Sequence, residues 1–391
     1  MARKLNIFSV VLLSVSVAAC STPHTLDKRV TEDNYKEVTL DRNVKIEEPL
    51  RFWASEKPEF LYNQDTQSTP ITVQGDTLNI LALSGGGANG AFGAGVLMGL
   101  ADRGELKDYS VITGISAGAL IAPFVFVGGD EIARLEDVIL GINDKEVLGK
   151  KNFLNTIFKD AFTNGDSFIE FIGEAYPEEM IDKMAQQHRN GKRLFIGSTH
   201  LDSGELMVWN LGAIANSDLP NRVELVHKVL ASSASIPGVF PPQFFDVRDD
   251  QTALEEMHVD GGLAAQVFYN PSNFDYQLIS DALNLDHPPQ LDVIRNGLLK
   301  SPYKPVNDKG VALLTKSLSG LTMMQTRGDI YRMKYLSEVD GLNMQFTYLD
   351  QDFSEAKQSK DLFDLEYMKA IYQYGYDKAV TDDLWETELP Q

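Results

Sequence analysis

The sequence predicts an α/β domain: a mainly parallel central sheet with helices packed on both faces. Three observations predict it. From Leu78 onward, short apolar runs of strand length alternate with longer helical stretches. Two junctions between a strand run and a helical run are rich in glycine, at 85–90 and 114–118. The helical run 117–127 is apolar on every side, the mark of a helix buried inside a large domain.

The chain opens with Arg3 and Lys4, followed by an apolar stretch from Ile7 to Ala19 broken only by Ser9, Ser14 and Ser16. That stretch is short of the roughly 20 residues a spanning helix needs, and it fits the apolar part of a secretory signal peptide. It ends Val17-Ala18-Ala19-Cys20, which resembles the bacterial lipobox. The resemblance implies a signal peptide at 1–19, lipid attachment at Cys20 and a cell-envelope location. By the same analogy, Ser21 favours the outer membrane. A plain signal peptide with an accidental cysteine is the alternative. Residues 20–75, mixed in composition and charged over 25–48, read as an N-terminal tether whose aromatic clusters at 51–53 and 60–62 are expected to dock on the domain. The turn-rich stretch 64–75 marks its boundary with a domain at 76–391, divided into a motif core at 78–270 and an extension at 271–391.

Within the domain, strands are expected at 78–83, 111–113, 193–197, 205–209, 244–247, 257–259, 291–294 and 343–349. Helices are expected at 90–101, 117–127, 221–233, 309–339 and 365–379, with 130–192 mostly helical.

Charge and cysteine content narrow the function classes. The formal net charge is −21, and it becomes −23 if Arg3 and Lys4 are removed with the signal segment. Such a chain repels phosphate backbones, so nucleic acid is excluded as a partner class, and the chain as a whole gains nothing from anionic lipid. With Cys20 as the single cysteine, no internal disulfide or cysteine-based metal cluster can form.

Three motifs carry chemistry. Gly85-Gly86-Gly87-Ala88-Asn89-Gly90 follows a strand and precedes a helix. It satisfies the dinucleotide fingerprint G-x-G-x-x-G, but the acidic residue expected at the end of the second strand is missing. The same geometry serves as an oxyanion hole, where glycine N–H groups face a developing negative charge, or as a plain tight turn. Gly114-Ile115-Ser116-Ala117-Gly118 matches the nucleophile elbow G-x-S-x-G, in which a sharp strand-to-helix turn exposes the serine Oγ. Its bland reading is a packing turn with a capping serine. Asp260-Gly261-Gly262 ends a strand and places a carboxylate where it can face a cleft; an ordinary Asp-Gly turn is the alternative.

In this order, the three motifs resemble the patatin-like phospholipase family. The block Ala231-Ser232-Ser233-Ala234-Ser235-Ile236-Pro237-Gly238-Val239-Phe240-Pro241-Pro242 and the segment 199–205 resemble further family stretches. The resemblance implies a three-layer α/β/α fold and a serine acyl hydrolase acting on lipid acyl esters, without metal or cofactor. It assigns Ser116 as nucleophile and Asp260 as base, with Gly85, Gly86 and Gly87 around the oxyanion and Gly114 and Gly118 framing the elbow. Two positions depart from many relatives: Ser84 stands where they have Asp, and Asn89 where they have Arg or Lys. A nucleotide-binding protein and a non-catalytic envelope lipoprotein remain the competing readings. A Ser-His-Asp triad would need a histidine, and His258 is the only candidate, sharing a strand face with Asp260.

Overall fold

The computed structural model describes residues 28–40, 48–148, 165–270, 272, 274–353, 356–381 and 383–390, with backbone only at 311 and 315. The signal segment 1–19 and Cys20 lie outside these residues.

Asn79–Leu83 (β2), Val111–Ile115 (β3), Arg193–His200 (β4), Gln290–Arg295 (β8) and Asn343–Tyr348 (β9) form the parallel centre of one sheet, in the order β4-β3-β2-β8-β9. Glu205–Asn210 (β5) returns antiparallel along β4, and Arg51–Trp53 (β1) closes that edge antiparallel to β5. A hairpin of Gln243–Asp249 (β6) and Thr252–Asp260 (β7) joins through β7 to the end of β4.

Strand periodicity explains the three layers. Side chains alternate between faces along a strand. In β2, Leu81 and Leu83 enter one apolar cluster, while Ile80 and Ala82 enter the other. In β4, Leu194 and Ile196 face the first cluster and Phe195 the second. Both faces must therefore be covered. Helices Gly90–Asp102, Ala117–Val127, Glu178–Arg189, Arg222–Ser233 and Leu365–Ala379 cover the first. Helix Gly310–Val339, through Ile330, Met333 and Leu336, covers the second together with Gln277–Leu283.

The expected fold class holds, and so do the main strands and helices. Helices Leu211–Asn216 and Gln277–Leu283 were not expected, because two turns are too short to display a 3.6-residue period. The aromatic clusters of the tether dock on the domain as expected, but its linker character needs correction. Over its described residues, 28–40 and 48–75, it is part of the folded domain. Its 51–53 cluster is the edge strand β1, Trp53, Leu61 and Ile71 are buried, and Thr39 bridges Arg248. The charges that suggested a linker are pairing partners: Arg51 is ion-paired with the fully buried Glu256, and Glu48 with Arg193.

Candidate active site

The sheet register brings the candidate residues together. β5 occupies one edge of β4 along its whole C-terminal half, with Ser198 opposite Met207 and His200 opposite Glu205. On the other edge, β3 runs parallel as far as Ile115 opposite Gly197. β7 then continues the same file from the opposite direction, with His258 opposite His200 and Asp260 opposite Ser198. Two strands thus approach head-on along one edge, and the residues at their meeting point are Ser116 and Asp260. They are 144 positions apart in sequence, and Ser116 Oγ donates a 2.6 Å hydrogen bond to Asp260 Oδ2.

Ser116 sits on the sharp turn that the elbow motif predicts. Its φ of 53° and ψ of −122° lie in a region disfavoured for a residue with a side chain, a strain of about 1–3 kcal/mol held by the surrounding packing. Gly118 makes the turn possible: a Cβ there would lie 2.3 Å from the Leu83 carbonyl oxygen. Gly114, at the other flank, faces the backbone of Gly118 and Ala119 in the same way. Ser116 N–H donates to Ser233 Oγ at 3.0 Å, and Ser233 Oγ donates to the Gly197 carbonyl at 2.6 Å. A hydroxyl from the 231–242 block therefore fixes the nucleophile's backbone.

Asp260 is buried, with its main-chain N–H on the Ser235 carbonyl and its Oδ1 accepting Gly262 N–H at 2.7 Å. Burial is the largest influence on its carboxyl and raises its pKa from 3.8 to about 6, against the lowering effect of the Ser116 and Gly262 hydrogen bonds. A carboxylate whose proton affinity lies near neutrality is suited to general-base work.

The glycine-rich loop adjoins the pair. A Cβ on Gly85 would approach the Ser116 Cβ at 3.2 Å. The three glycines are not equivalent, however. Gly85 N–H is committed to the Gln266 carbonyl at 2.9 Å, so it is not available as an oxyanion donor. Among the described residues, Gly86 and Gly87 N–H have no such partner, and Gly87, with φ of +55°, lines the same cleft as Ser116. Ala117 lines the cleft too, and its N–H at the start of helix Ala117–Val127 is a further donor of the same kind. A backbone donor of this kind leaves no mark in residue type and so carries no sequence signal.

Ser84 and Asn89, the departures from the family pattern, are structural. Ser84 is fully buried; its Oγ accepts from Asn296 N–H at 2.8 Å and from Arg295 Nη1 at 3.2 Å. Arg295 also donates to the Gly85 carbonyl at 2.7 Å, and Asn296 Nδ2 to the Ser84 carbonyl at 2.8 Å. The tip of β8 thus braces the loop from behind. Asn89 Oδ1 accepts the Tyr367 hydroxyl at 2.6 Å, tying the loop to helix Leu365–Ala379. Neither Arg295 nor Asn296 carries a sequence signal; only the β2–β8 pairing reveals them.

The narrow cleft beside Ser116 is walled by Leu120, Ile139, Phe168, Phe171, Phe240 and Met368. It is apolar, suited to a hydrocarbon chain and not to a nucleotide. The tip of β3, where a dinucleotide site would hold its ribose, carries Ser116 instead of a carboxylate.

His258 does not complete a triad. Its Nδ1 meets Ser198 Oγ at 2.9 Å and its Nε2 meets Glu256 Oε2 at 3.4 Å. Burial lowers its pKa to about 4, outweighing the opposing effect of Glu256. Ser198 in turn accepts Trp209 Nε1, so the imidazole belongs to a core network. Among the described residues no histidine bonds Ser116 or Asp260.

Comparison with known families matches residues 81–271 to the patatin-like phospholipase family. These residues are a patatin-like phospholipase domain. Its boundaries take in Ser116, Asp260 and the glycine-rich loop but not β8 or the 363–368 wall of the cleft, and the assignment supports lipid hydrolase activity. No curated protein matches the chain. Among solved structures, VipD from Legionella pneumophila aligns at 12% identity over 78% of this chain and 66% of its own, with a TM-score of 0.37. The type III effector ExoU aligns at 14% identity over 78% of this chain and 53% of its own, with a TM-score of 0.34. Full-length ExoU with SpcU, from the Pseudomonas aeruginosa type III secretion system, aligns at 18% identity over 43% and 40%, with a TM-score of 0.26. The chain bearing the patatin-like domain thus spans less than two thirds of each of these structures.

Proposed function

We propose that this protein is a serine acyl hydrolase of phospholipase A type, cleaving lipid acyl esters through a Ser116–Asp260 dyad. The observation that carries the reading is the 2.6 Å hydrogen bond from Ser116 Oγ to a buried carboxylate, at the mouth of an apolar cleft. The family assignment supports the same class.

In this mechanism Ser116 Oγ attacks the acyl carbonyl carbon while its proton passes to Asp260 Oδ2. The oxyanion is received by N–H groups of Gly86, Gly87 and Ala117. Collapse breaks the ester bond; Asp260 returns the proton to the departing alkoxide, and the acyl chain stays on Ser116. Water, deprotonated by Asp260, then attacks the acyl carbonyl carbon; the bond to Ser116 Oγ breaks, Asp260 returns the proton to Ser116 Oγ, and the fatty acid leaves. The apolar cleft holds the acyl chain and excludes solvent from the carboxylate.

The test is labelling with a serine-directed fluorophosphonate, followed by a lipid hydrolysis panel. Label at Ser116, lost in Ser116→Ala together with hydrolysis, is the expected outcome. An unlabelled, folded protein that hydrolyses no ester would leave a non-catalytic lipoprotein as the better reading.

Attachment through acylated Cys20 at the outer membrane belongs to the same proposal and rests on the Val17-Ala18-Ala19-Cys20 sequence. Among the described residues no helix is long and apolar enough to cross a membrane. Cells fed labelled palmitate should label the wild type and not Cys20→Ser; an unlabelled wild type would refute the anchor.

A further inference from the structure

Helix Gly310–Val339 is the connection between the parallel neighbours β8 and β9, so it runs antiparallel to them. Each of those strands has 6 residues and spans about 20 Å, whereas 30 helical residues span about 45 Å. The excess must emerge at the end of the sheet where the helix begins, which is the C-terminal edge of the strands and the edge that carries Ser116. Contacts fix the level. Gln325 donates to the Leu263 carbonyl at 3.3 Å, and Asp329 accepts Gln266 N–H at 2.7 Å, so positions 325–329 lie against the loop that follows Asp260. Among the described side chains of the helix, the first buried one is Thr326.

This projecting half is apolar where it should be polar. Leu313, Leu314, Leu318, Leu321 and Met324 are all exposed, Leu321 at 67%. At the helical repeat they fall within an arc of about 140°, a single continuous stripe. Leu263, 49% exposed in the catalytic-aspartate loop, joins it where Gln325 makes its contact. The charge of this element opposes that of the whole chain. From 300 to 325 it carries Lys300, Lys304, Lys309 and Lys316 against Asp308 alone, with Lys304 paired to Asp352 from outside the segment, in a protein of formal net charge −21. An apolar stripe edged by lysines matches a surface with an apolar interior and anionic headgroups.

We infer that residues 300–325, with Leu263, form an interfacial docking face that seats the catalytic edge of the sheet on an anionic lipid surface. The inference deepens the acyl-hydrolase reading by naming how the site meets its lipid, and it rests on that reading for the relevance of a bilayer. It is independent of Cys20: an acyl anchor would hold the protein near a membrane, while this face orients the cleft toward it.

The experiment is sedimentation of the full chain with vesicles of phosphatidylcholine alone and of phosphatidylcholine with phosphatidylglycerol. All proteins carry Cys20→Ser, which removes any anchor, and Ser116→Ala, which makes binding independent of hydrolysis. The parent should bind the phosphatidylglycerol vesicles, with the bound fraction falling as salt rises. Leu314→Glu with Leu318→Glu and Leu321→Glu should reduce binding by about tenfold or more with an unchanged melting temperature. Leu321→Glu alone serves as a second variant should the triple one fold poorly. On the Ser116 background, the same variants should hydrolyse a soluble short-chain ester at the parent rate. Parent-like vesicle binding by the folded variants would overturn the inference. So would a parent that binds neither vesicle but forms a dimer abolished by Leu321→Glu, which would assign the stripe to a second copy of the chain. Failure of the soluble-ester assay with vesicle binding intact would refute the hydrolase reading alone.

Discussion

Ser233 Oγ accepts the main-chain N–H of Ser116 at 3.0 Å while donating its own proton to the Gly197 carbonyl at 2.6 Å. One hydroxyl therefore joins the nucleophile's turn to the neighbouring strand. Ser233→Ala leaves a buried N–H and a buried carbonyl unpaired, at about 1–3 kcal/mol each. The expected result is a clear fall in kcat for a soluble ester with little change in KM, since the elbow shifts while the cleft does not. Ser233→Thr, which keeps the hydroxyl, should recover part of the loss. Equal losses in the two variants would mean that bulk, not the hydrogen bond, matters at this position.

The raised pKa of Asp260 links activity to pH with a definite sign. The base must be ionised, so kcat/KM should rise with pH through about 6 and level off above it. Stability runs the other way. The unfolded carboxyl ionises near 3.8 and the folded one near 6, so the folded state binds more protons between those values. This group's contribution to stability is therefore lost as pH rises from about 4 to about 6. Asp260→Asn cannot accept the Ser116 proton and should be inactive. It should also match the wild-type melting temperature at pH 4 and exceed it at pH 8. A variant less stable than wild type at pH 8 would contradict the buried-charge account.

Gly86 and Gly87 should respond differently to alanine. A Cβ on Gly86 would lie 2.2 Å from the Asn296 carbonyl oxygen, so Gly86→Ala must displace the loop and should lower both melting temperature and activity. A Cβ on Gly87 meets nothing within 4 Å, but its φ of +55° resists a side chain. Gly87→Ala should therefore cost only about 1 kcal/mol of stability while turning a candidate oxyanion donor, with a larger loss in kcat. Thermal melts beside initial rates separate the two behaviours.

Arg295 gives the glycine loop a buried cation. Burial lowers its pKa to about 10, with Asp329 opposing the shift, and its Nη1 holds the Gly85 carbonyl at 2.7 Å. Arg295→Met removes a charge-assisted bond of about 1.5–3 kcal/mol and the positive potential behind the loop. We expect kcat to fall roughly tenfold or more by that energy, with fluorophosphonate labelling slowed in parallel. Labelling at the wild-type rate would confine Arg295 to a packing role.

The local parts of the site were legible in the sequence. Gly114-Ile115-Ser116-Ala117-Gly118 announces a strand-to-helix elbow because a turn that sharp needs glycine at Gly118, and Asp260 follows an alternating strand. What the sequence withholds is pairing. Nothing in residues 51–53 reveals a sheet edge, because a three-residue strand has no measurable period and its partner lies at 207–209. Arg295 and Asn296 reach the loop only through the β2–β8 register, and His258 resembled a catalytic partner until its two ring nitrogens were accounted for by Ser198 and Glu256. Gly85 was grouped with its neighbours because glycines look alike in sequence, although its N–H serves the Gln266 carbonyl.

The docking of the N-terminal segment sets a leash length. Arg29 bridges Glu255 and pairs with Asp202 at 3.3 Å, beyond the end of β4 and on the same side of the sheet as Ser116. Cys20 precedes Arg29 by only nine residues, a contour of roughly 30 Å at full stretch. An acylated Cys20 would consequently hold the protein close in, with no freedom to swing on a long arm. The lead reaches the domain on the half of the molecule that bears the nucleophile, so the anchor would cap the distance between site and membrane while leaving orientation to the apolar face at 313–324, and lengthening the lead by insertion should widen that reach without touching the chemistry.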